Sequence, residues 1–183
     1  MDMIRKRLRC FFPALIAAAV FSSIAAAQDI LHEVKLGLLA HDVDNLWSGS
    51  SRESGMDTNA EFIFAPKYDL LGGEVRPALG VSANSAGDTS KLYAAARWET
   101  EVLGRGFFAL GIGGAVHDGE EKLVRRDRKA LGSRVLFYFP IEAGYRIDDT
   151  YSVSLFFDHV SNAWMASPNE GMDTLGLRFG IKF

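Results

Sequence analysis

The final ten residues, Thr174–Phe183 (TLGLRFGIKF), alternate between apolar side chains and small or polar ones. Because a β-strand points successive side chains to opposite faces, one face of this segment is aliphatic and aromatic, while the other carries two glycines, Arg178 and Lys182. This division is typical of a transmembrane barrel strand, whose apolar face contacts lipid. The closing aromatic residue, Phe183, is a usual feature of outer-membrane barrels in Gram-negative bacteria.

Comparable alternation, bounded by turn residues, recurs along the rest of the chain. It predicts eight strands, at residues 31–41, 57–66, 74–84, 90–100, 106–117, 132–146, 150–162 and 173–183. We therefore expect an all-β fold, an eight-stranded antiparallel transmembrane β-barrel of the outer membrane. Pro77 and Pro140 are unexpected within this pattern, because each removes a donor from the hydrogen-bond ladder.

The links between these strands alternate in length and suggest an orientation. Outer-membrane barrels keep their longer loops outside the cell and their short turns in the periplasm. With both termini periplasmic, the seventh predicted strand runs outward and ends near the outer leaflet, where lipopolysaccharide is anchored. A soluble eight-stranded ligand-binding barrel is the competing interpretation, and it would turn the apolar face inward.

The first 27 residues are predicted to be a secretory signal peptide. A basic start is followed by the apolar stretch Phe11–Ile24 and by the small residues Ala25–Ala27. The segment contains Cys10, the single cysteine, so residues 28–183 form one barrel domain without an internal disulfide. The net charge of −3 and the scarcity of basic runs argue against nucleic acid as a partner.

Other polar and aromatic residues have simpler interpretations. His41 and Asp42 are expected to be a solvated loop end rather than a cation site. The basic run Arg125–Lys129 lies in an outer loop, where it is either solvated or in contact with lipid phosphates. Indoles favour the headgroup zone, so the tryptophans are expected to mark membrane interfaces: Trp47, Trp98 and Trp164.

The segment Tyr151–Ser161 contains the chemically most suggestive residues. His159 and Ser161 share the apolar face of this strand, with backbone positions about 6 to 7 Å apart. Serine needs an adjacent base, which is usually oriented by an acid. Asp173 begins the next strand on the same face, and an aspartate at the edge of an apolar belt is costly without a partner such as His159.

Two further residues could complete such a site. Asn162 follows the serine and could offer its side-chain amide or its backbone N–H to a developing oxyanion. Glu170, in the turn that returns to Asp173, is an alternative acid.

The segments Phe157–Ala163, Pro168–Asp173 and Leu175–Phe179 resemble the C-terminal signature of PagL-type lipid A 3-O-deacylases. The resemblance implies an eight-stranded outer-membrane barrel that hydrolyses the 3-O-linked acyl chain of lipid A. It makes Ser161 the nucleophile, His159 the base and Asn162 an oxyanion contributor. The family commonly has a glutamate where this chain has Asp173, so the carboxylate is kept on a side chain shorter by one methylene.

The residues predict a serine esterase near the outer leaflet, and the resemblance implies that its substrate is the lipid A, or lipopolysaccharide, of that leaflet. Neither the residues nor the resemblance calls for a metal or another cofactor. The alternative is a non-catalytic outer-membrane barrel with a structural, adhesive or lipid-binding role. The sequence leaves open whether the protein forms a homodimer.

Overall fold

The computed structural model describes residues 30–183, so the predicted signal peptide, residues 1–27, lies outside the described residues. The described chain forms nine β-strands: β1 (Leu31–Ala40), β2 (Met56–Phe64), β3 (Tyr68–Leu70), β4 (Gly73–Asn84), β5 (Lys91–Val102), β6 (Gly106–His117), β7 (Val135–Arg146), β8 (Tyr151–Ser161) and β9 (Met172–Lys182). In residues 30–183, no helix has the length and apolarity needed to cross a membrane.

Eight of the strands close into an antiparallel barrel. From β4 to β9 each strand pairs with the next, β1 pairs with both β2 and β9, and β2 pairs with β4 past the short β3. Closure satisfies the backbone groups that a sheet edge would expose to lipid. The eight predicted strands are confirmed, whereas β3, which pairs with the start of β4, was expected to be part of a turn.

The barrel wall is apolar outside and polar inside. Alternate side chains of β9 show this directly, since Leu177 and Phe179 are 69% and 40% exposed while Arg178 between them is 2% exposed. Exposed aliphatic residues follow the same parity on other strands, including Leu36, Leu38, Leu110, Ile112, Val153 and Leu155. The apolar face therefore points outward, which contradicts the soluble interpretation and confirms the transmembrane barrel.

Charged side chains fill the interior as mutual ion pairs. Glu142 Oε2 accepts a hydrogen bond from Arg97 at 2.7 Å, and its Oε1 lies 3.2 Å from Lys35 Nζ. Arg178 donates to Glu61 Oε1 at 2.6 Å. Since a buried charge without a partner is very costly, this network ties neighbouring strands together across the lumen.

The two prolines are accommodated differently. Pro77 stays in register with Ala96 of β5. At Pro140 the ladder between β6 and β7 is interrupted, and it resumes at the pair Gly113–Tyr138. A side chain on Gly111 would lie 2.6 Å from Pro140 Cγ, so a glycine there makes room for the proline ring.

The barrel has one end with long links and one with short links. The links at one end are residues 41–55, 85–90, 118–134 and 162–171, and those at the other end are residues 65–72, which contain β3, 103–105 and 147–150. The predicted asymmetry is confirmed for three of the four long links, whereas the link 85–90, with six residues, is shorter than 65–72, with eight. β7 begins three residues later than expected, because the backbone N–H groups of Leu131 and Gly132 bind the carbonyls of Glu120 and Glu121 within the loop.

Candidate active site

The end of β8 nearest the long loops carries His159 and Ser161. Their parity matches Tyr151, Val153 and Leu155, which are 43%, 44% and 53% exposed on the outer surface of the barrel. Both candidate residues are therefore on the outer face, as the alternation predicted. A cavity of about 630 Å³ opens at the opposite, short-link end, so it is remote from this pair.

The strand register brings Asp173 to His159. The two residues are direct partners across β8 and β9, and His159 Nδ1 lies 2.6 Å from Asp173 Oδ1. The carboxylate accepts the hydrogen bond from the ring N–H, so this contact fixes the tautomer with the proton on Nδ1. Nε2 is then the nitrogen that can accept a proton.

Loop 41–55 also binds Asp173, through two backbone hydrogen bonds. The backbone N–H of Ser48 donates to Asp173 Oδ2 at 2.7 Å, and the N–H of Val43 donates to the Asp173 carbonyl at 2.9 Å. Asp173 is completely buried, although it lies on the outer face of its strand. Its carboxylate thus has one oxygen on the imidazole and one on the loop backbone.

Glu170, the alternative acid, is engaged elsewhere. Its Oε2 accepts from the backbone N–H of Ala130 at 2.7 Å, and its Oε1 lies 2.7 Å from Arg52 Nη2. These contacts join loop 162–171 to loops 118–134 and 41–55. The structure therefore brings Asp173 rather than Glu170 to the imidazole.

Asn162 is buried beside Ser161, but its donors are occupied. The side-chain Nδ2 donates to the carbonyls of Leu131 and Pro168 at 2.9 and 2.8 Å, and the backbone N–H donates to Asn169 Oδ1 at 3.0 Å. The oxyanion role expected from sequence would require one of these hydrogen bonds to open. In this state Asn162 ties the end of β8 to two loops.

Trp47 is a site residue that sequence reasoning placed only at a membrane interface. Its ring stacks on the His159 imidazole with a centroid distance of 4.5 Å and an interplanar angle of 10°. It also stacks on Phe139, at 5.6 Å, which is the partner of His159 on β7. An indole in a loop remote in sequence offered no signal that would pair it with this histidine.

The basic run of loop 118–134 is divided by the structure. Lys129 is completely buried and lies 3.3 Å from Asp42, while Arg128 pairs with Asp88 at 2.6 Å. Arg125 and Arg126 remain exposed. The expectation that the whole run is solvated or in contact with phosphates is therefore wrong for Lys129.

The expectation for His41 is also wrong. It is 6% exposed and lies between two carboxylates, with Nε2 at 3.0 Å from Glu53 and Nδ1 at 2.8 Å from Asp57. Burial alone would lower the pKa of His41, but the hydrogen bonds with Asp57 and Glu53 outweigh it and raise this pKa from 6.5 to about 9. His41 is therefore part of a buried cluster of charged groups.

Comparisons with known proteins agree with this architecture. A family model described as "Lipid A 3-O-deacylase (PagL)" matches residues 30–182. The crystal structure of the outer membrane enzyme PagL is similar, with a TM-score of 0.63 and 22% identity over 82% of this chain and 99% of that one. Neisserial surface protein A also matches, with a TM-score of 0.48 and 10% identity over 82% of this chain and 96% of that one. No curated protein sequence matches the chain significantly.

Proposed function

The chain belongs to the family of lipid A 3-O-deacylases (PagL), and we propose that it is a serine esterase that hydrolyses the 3-O-linked acyl chain of lipid A. The fold, a closed β-barrel with an apolar outer face, is that of an outer-membrane protein. The family supplies the reaction, while the assignment of individual residues to its steps is our proposal.

The observation that carries the proposal is the hydrogen bond between His159 Nδ1 and Asp173 Oδ1, 2.6 Å long, two positions from a serine on the outer face of the barrel. A carboxylate that holds Nδ1–H leaves Nε2 as a base for the neighbouring hydroxyl. Base, acid and nucleophile would thus lie together beside the hydrocarbon in which an acyl chain is dissolved.

In the proposed reaction, Ser161 Oγ attacks the ester carbonyl while His159 Nε2 takes its proton. Asp173 stabilises the resulting imidazolium. The tetrahedral intermediate then collapses, the imidazolium protonates the departing sugar oxygen, and the acyl group stays on Ser161. Water attacks this acyl-enzyme with His159 again as base, which releases the fatty acid and restores the serine.

The oxyanion of the intermediate needs a hydrogen-bond donor, and we assign the backbone N–H of Asn162 to this role. Its present acceptor is Asn169 Oδ1, a side-chain atom that can rotate away when the oxyanion forms. The Nδ2 group, in contrast, holds two backbone carbonyls, and releasing them would disturb two loops. The side chain of Asn162 is then structural, and its backbone is the catalytic donor.

The location of the site supports a substrate that stays in the membrane. Phe137, in register with Ser161, is 39% exposed on the outer face, and Trp164 and Met165 are 83% and 80% exposed in the following loop. Exposed apolar groups around a buried polar pair suit an acyl chain that reaches the serine from the bilayer. The lipid would not need to leave its leaflet.

A test with purified protein compares two serines of the same strand. Ser161→Ala removes the proposed nucleophile, while Ser152→Ala removes a hydroxyl from the inner face, where it donates to Glu33. In detergent micelles containing lipid A, we expect wild type and Ser152→Ala to release a 3-hydroxy fatty acid and Ser161→Ala to release none above background. Equal release by all three proteins above the uncatalysed rate would show that Ser161 is not the nucleophile. Release at only the uncatalysed rate by all three would favour the non-catalytic barrel.

A further inference from the structure

Two consecutive residues of loop 41–55 contact both members of the His159–Asp173 pair. The Trp47 ring lies parallel to the imidazole, 4.5 Å from it, and the next residue, Ser48, donates its backbone N–H to Asp173 Oδ2 at 2.7 Å. This hydrogen bond is made to the carboxylate oxygen that does not contact His159. One short segment thus restrains the base and the acid together.

The loop is built to hold this segment in place. Asp42 and Asn45 have positive φ values of 47° and 58°, which fold the chain back towards β9, and Val43 N–H binds the Asp173 carbonyl at 2.9 Å. Farther along, the backbone N–H groups of Arg52 and Glu53 donate to Asp42 Oδ2 at 2.6 and 2.9 Å. Trp47 is therefore attached to an anchored loop, so its stacking position is set by the backbone.

The stacked ring has a specific chemical consequence. His159 gains a positive charge when it takes the proton from Ser161, and it is only 5% exposed, so water can stabilise that charge poorly. An indole face within about 6 Å attracts a cation through its quadrupole, most effectively where the cation is desolvated. Trp47 is in position to supply this attraction.

We propose that Trp47 is a positioning residue that orients the His159 imidazole and stabilises its protonated form, while Ser48 fixes the plane of the Asp173 carboxylate. The inference rests on the proposed function, because it acts through the base of that reaction. Trp47 does not form bonds to the reacting atoms. Its contribution appears when the imidazolium forms, so it affects the chemical step rather than the affinity for lipid A.

The test replaces Trp47 by side chains that keep apolar cover but differ in aromatic character. Trp47→Leu and Trp47→Met lack a π face, whereas Trp47→Phe retains one. Leu46→Ala is the matched control, since it shortens the adjacent exposed side chain of the same loop. For each variant, kcat and KM are measured with lipid A in micelles, together with the rate at which a short-chain fluorophosphonate labels Ser161.

We expect kcat of Trp47→Leu to fall about tenfold, with KM changed by less than about twofold. The rate of fluorophosphonate labelling should fall in parallel, because this probe tests serine activation without a long acyl chain. Trp47→Phe should recover most of both losses, and Leu46→Ala should resemble wild type. Trp47→Met gives the same comparison if Trp47→Leu does not fold.

Other outcomes overturn the inference. A rise in KM alone, with unchanged labelling, would make Trp47 an acyl-chain contact. Wild-type values in both non-aromatic variants would make the stacking incidental. Full activity in Ser161→Ala would overturn both the proposed function and the role of Trp47. If Ser161→Ala is inactive but Trp47→Leu has wild-type activity, only the positioning role of Trp47 is overturned.

Discussion

Two histidine–carboxylate pairs lie at the long-loop end of the barrel, on opposite sides of its wall. His159 faces outward and binds one carboxylate through Nδ1, with a serine two positions away on the same face. His41 is buried among the loops, and both of its ring nitrogens lie within 3.0 Å of a carboxylate oxygen. The first pair has a nitrogen for proton transfer, and the second has none.

The difference shows what distinguishes a candidate catalytic pair from a structural one. Glu53, the partner of His41, also accepts hydrogen bonds from Thr89 N–H at 3.0 Å and from Lys129 N–H at 2.9 Å. The pair therefore joins three loops. Both sites bring a histidine next to an acid. The two properties that distinguish the candidate catalytic pair are its position on the outer face of the barrel and a ring nitrogen that no carboxylate occupies.

The largest effect is expected at the outward base. His159→Gln removes the proton acceptor and should lower kcat for lipid A deacylation by about 10⁶-fold, as loss of a triad base does. His41→Gln should keep more than about a tenth of the activity in folded protein, because it does not reach the reacting atoms. Initial rates of fatty acid release measure both, and a comparable loss in the two variants would erase the distinction between the pairs.

Substitution of Asp173, the acid of the outward pair, should cause the second-largest loss of activity. Asp173→Asn keeps the shape but removes the charge that stabilises the imidazolium, so we expect a loss in kcat of about 10⁴-fold. Glu170→Gln, which changes the nearby carboxylate bound to Arg52 and Ala130, is the matched control and should cost less than about tenfold. A greater loss for Glu170→Gln would transfer the orienting role to Glu170.

The inner pair should govern stability instead. Glu53→Ala leaves His41 Nε2 and the backbone donors of Thr89 and Lys129 without their acceptor in a buried site, while His41 Nδ1 keeps its contact with Asp57. We expect it to destabilise the protein by about 3 to 5 kcal/mol, the usual cost of breaking a buried ion pair. Urea unfolding in lipid vesicles, followed by tryptophan fluorescence, measures the change; unchanged stability would make the cluster incidental.

The smallest effect is a pH dependence of the stability of the long loops. The pKa of His41 is raised from 6.5 to about 9, so its contribution to stability is complete below pH 6.5 and is lost as the pH rises through 9. Burial would raise the pKa of Glu53, but hydrogen bonds from His41, Lys129 and Thr89 lower it from 4.5 to about 2. The Glu53 contribution is complete above pH 4.5 and is lost as the pH falls through 2.

Both contributions are therefore complete between pH 4.5 and 6.5. We expect limited proteolysis within residues 41–55 to accelerate between pH 7 and pH 10, after correction for the protease's own pH dependence. The acceleration should be absent in His41→Gln, which cannot lose the proton. Equal acceleration in that variant would assign the effect to another group.

The barrel wall was predictable because strand alternation is a local property. The segments around Arg178 and Leu155 show their inner and outer faces without any knowledge of the partner strands. The contact of His159 with Asp173 was also predictable from the sequence, because two antiparallel strands joined by one loop bring the residues next to that loop together.

The loop contributions could not be predicted from the sequence. Ser48 and Asp173 are 125 positions apart, and their contact depends on left-handed backbone at Asp42 and Asn45, which are not glycines. Likewise, the sequence showed that Asn162 carries donors near Ser161 but not that Leu131, Pro168 and Asn169 occupy them. Long-range loop packing, rather than strand pattern, determines these contacts.

Ser161, on the outer face of β8, is the proposed nucleophile for cleavage of lipid A within the outer membrane. Mass spectrometry of lipid A from a Gram-negative host that produces wild type or Ser161→Ala, with equal protein in the outer membrane verified, measures this cleavage in the membrane itself. We expect wild type to remove one 3-hydroxyacyl chain from lipid A and Ser161→Ala to leave it intact. The same deacylated lipid A from both proteins would show that Ser161 is not the nucleophile.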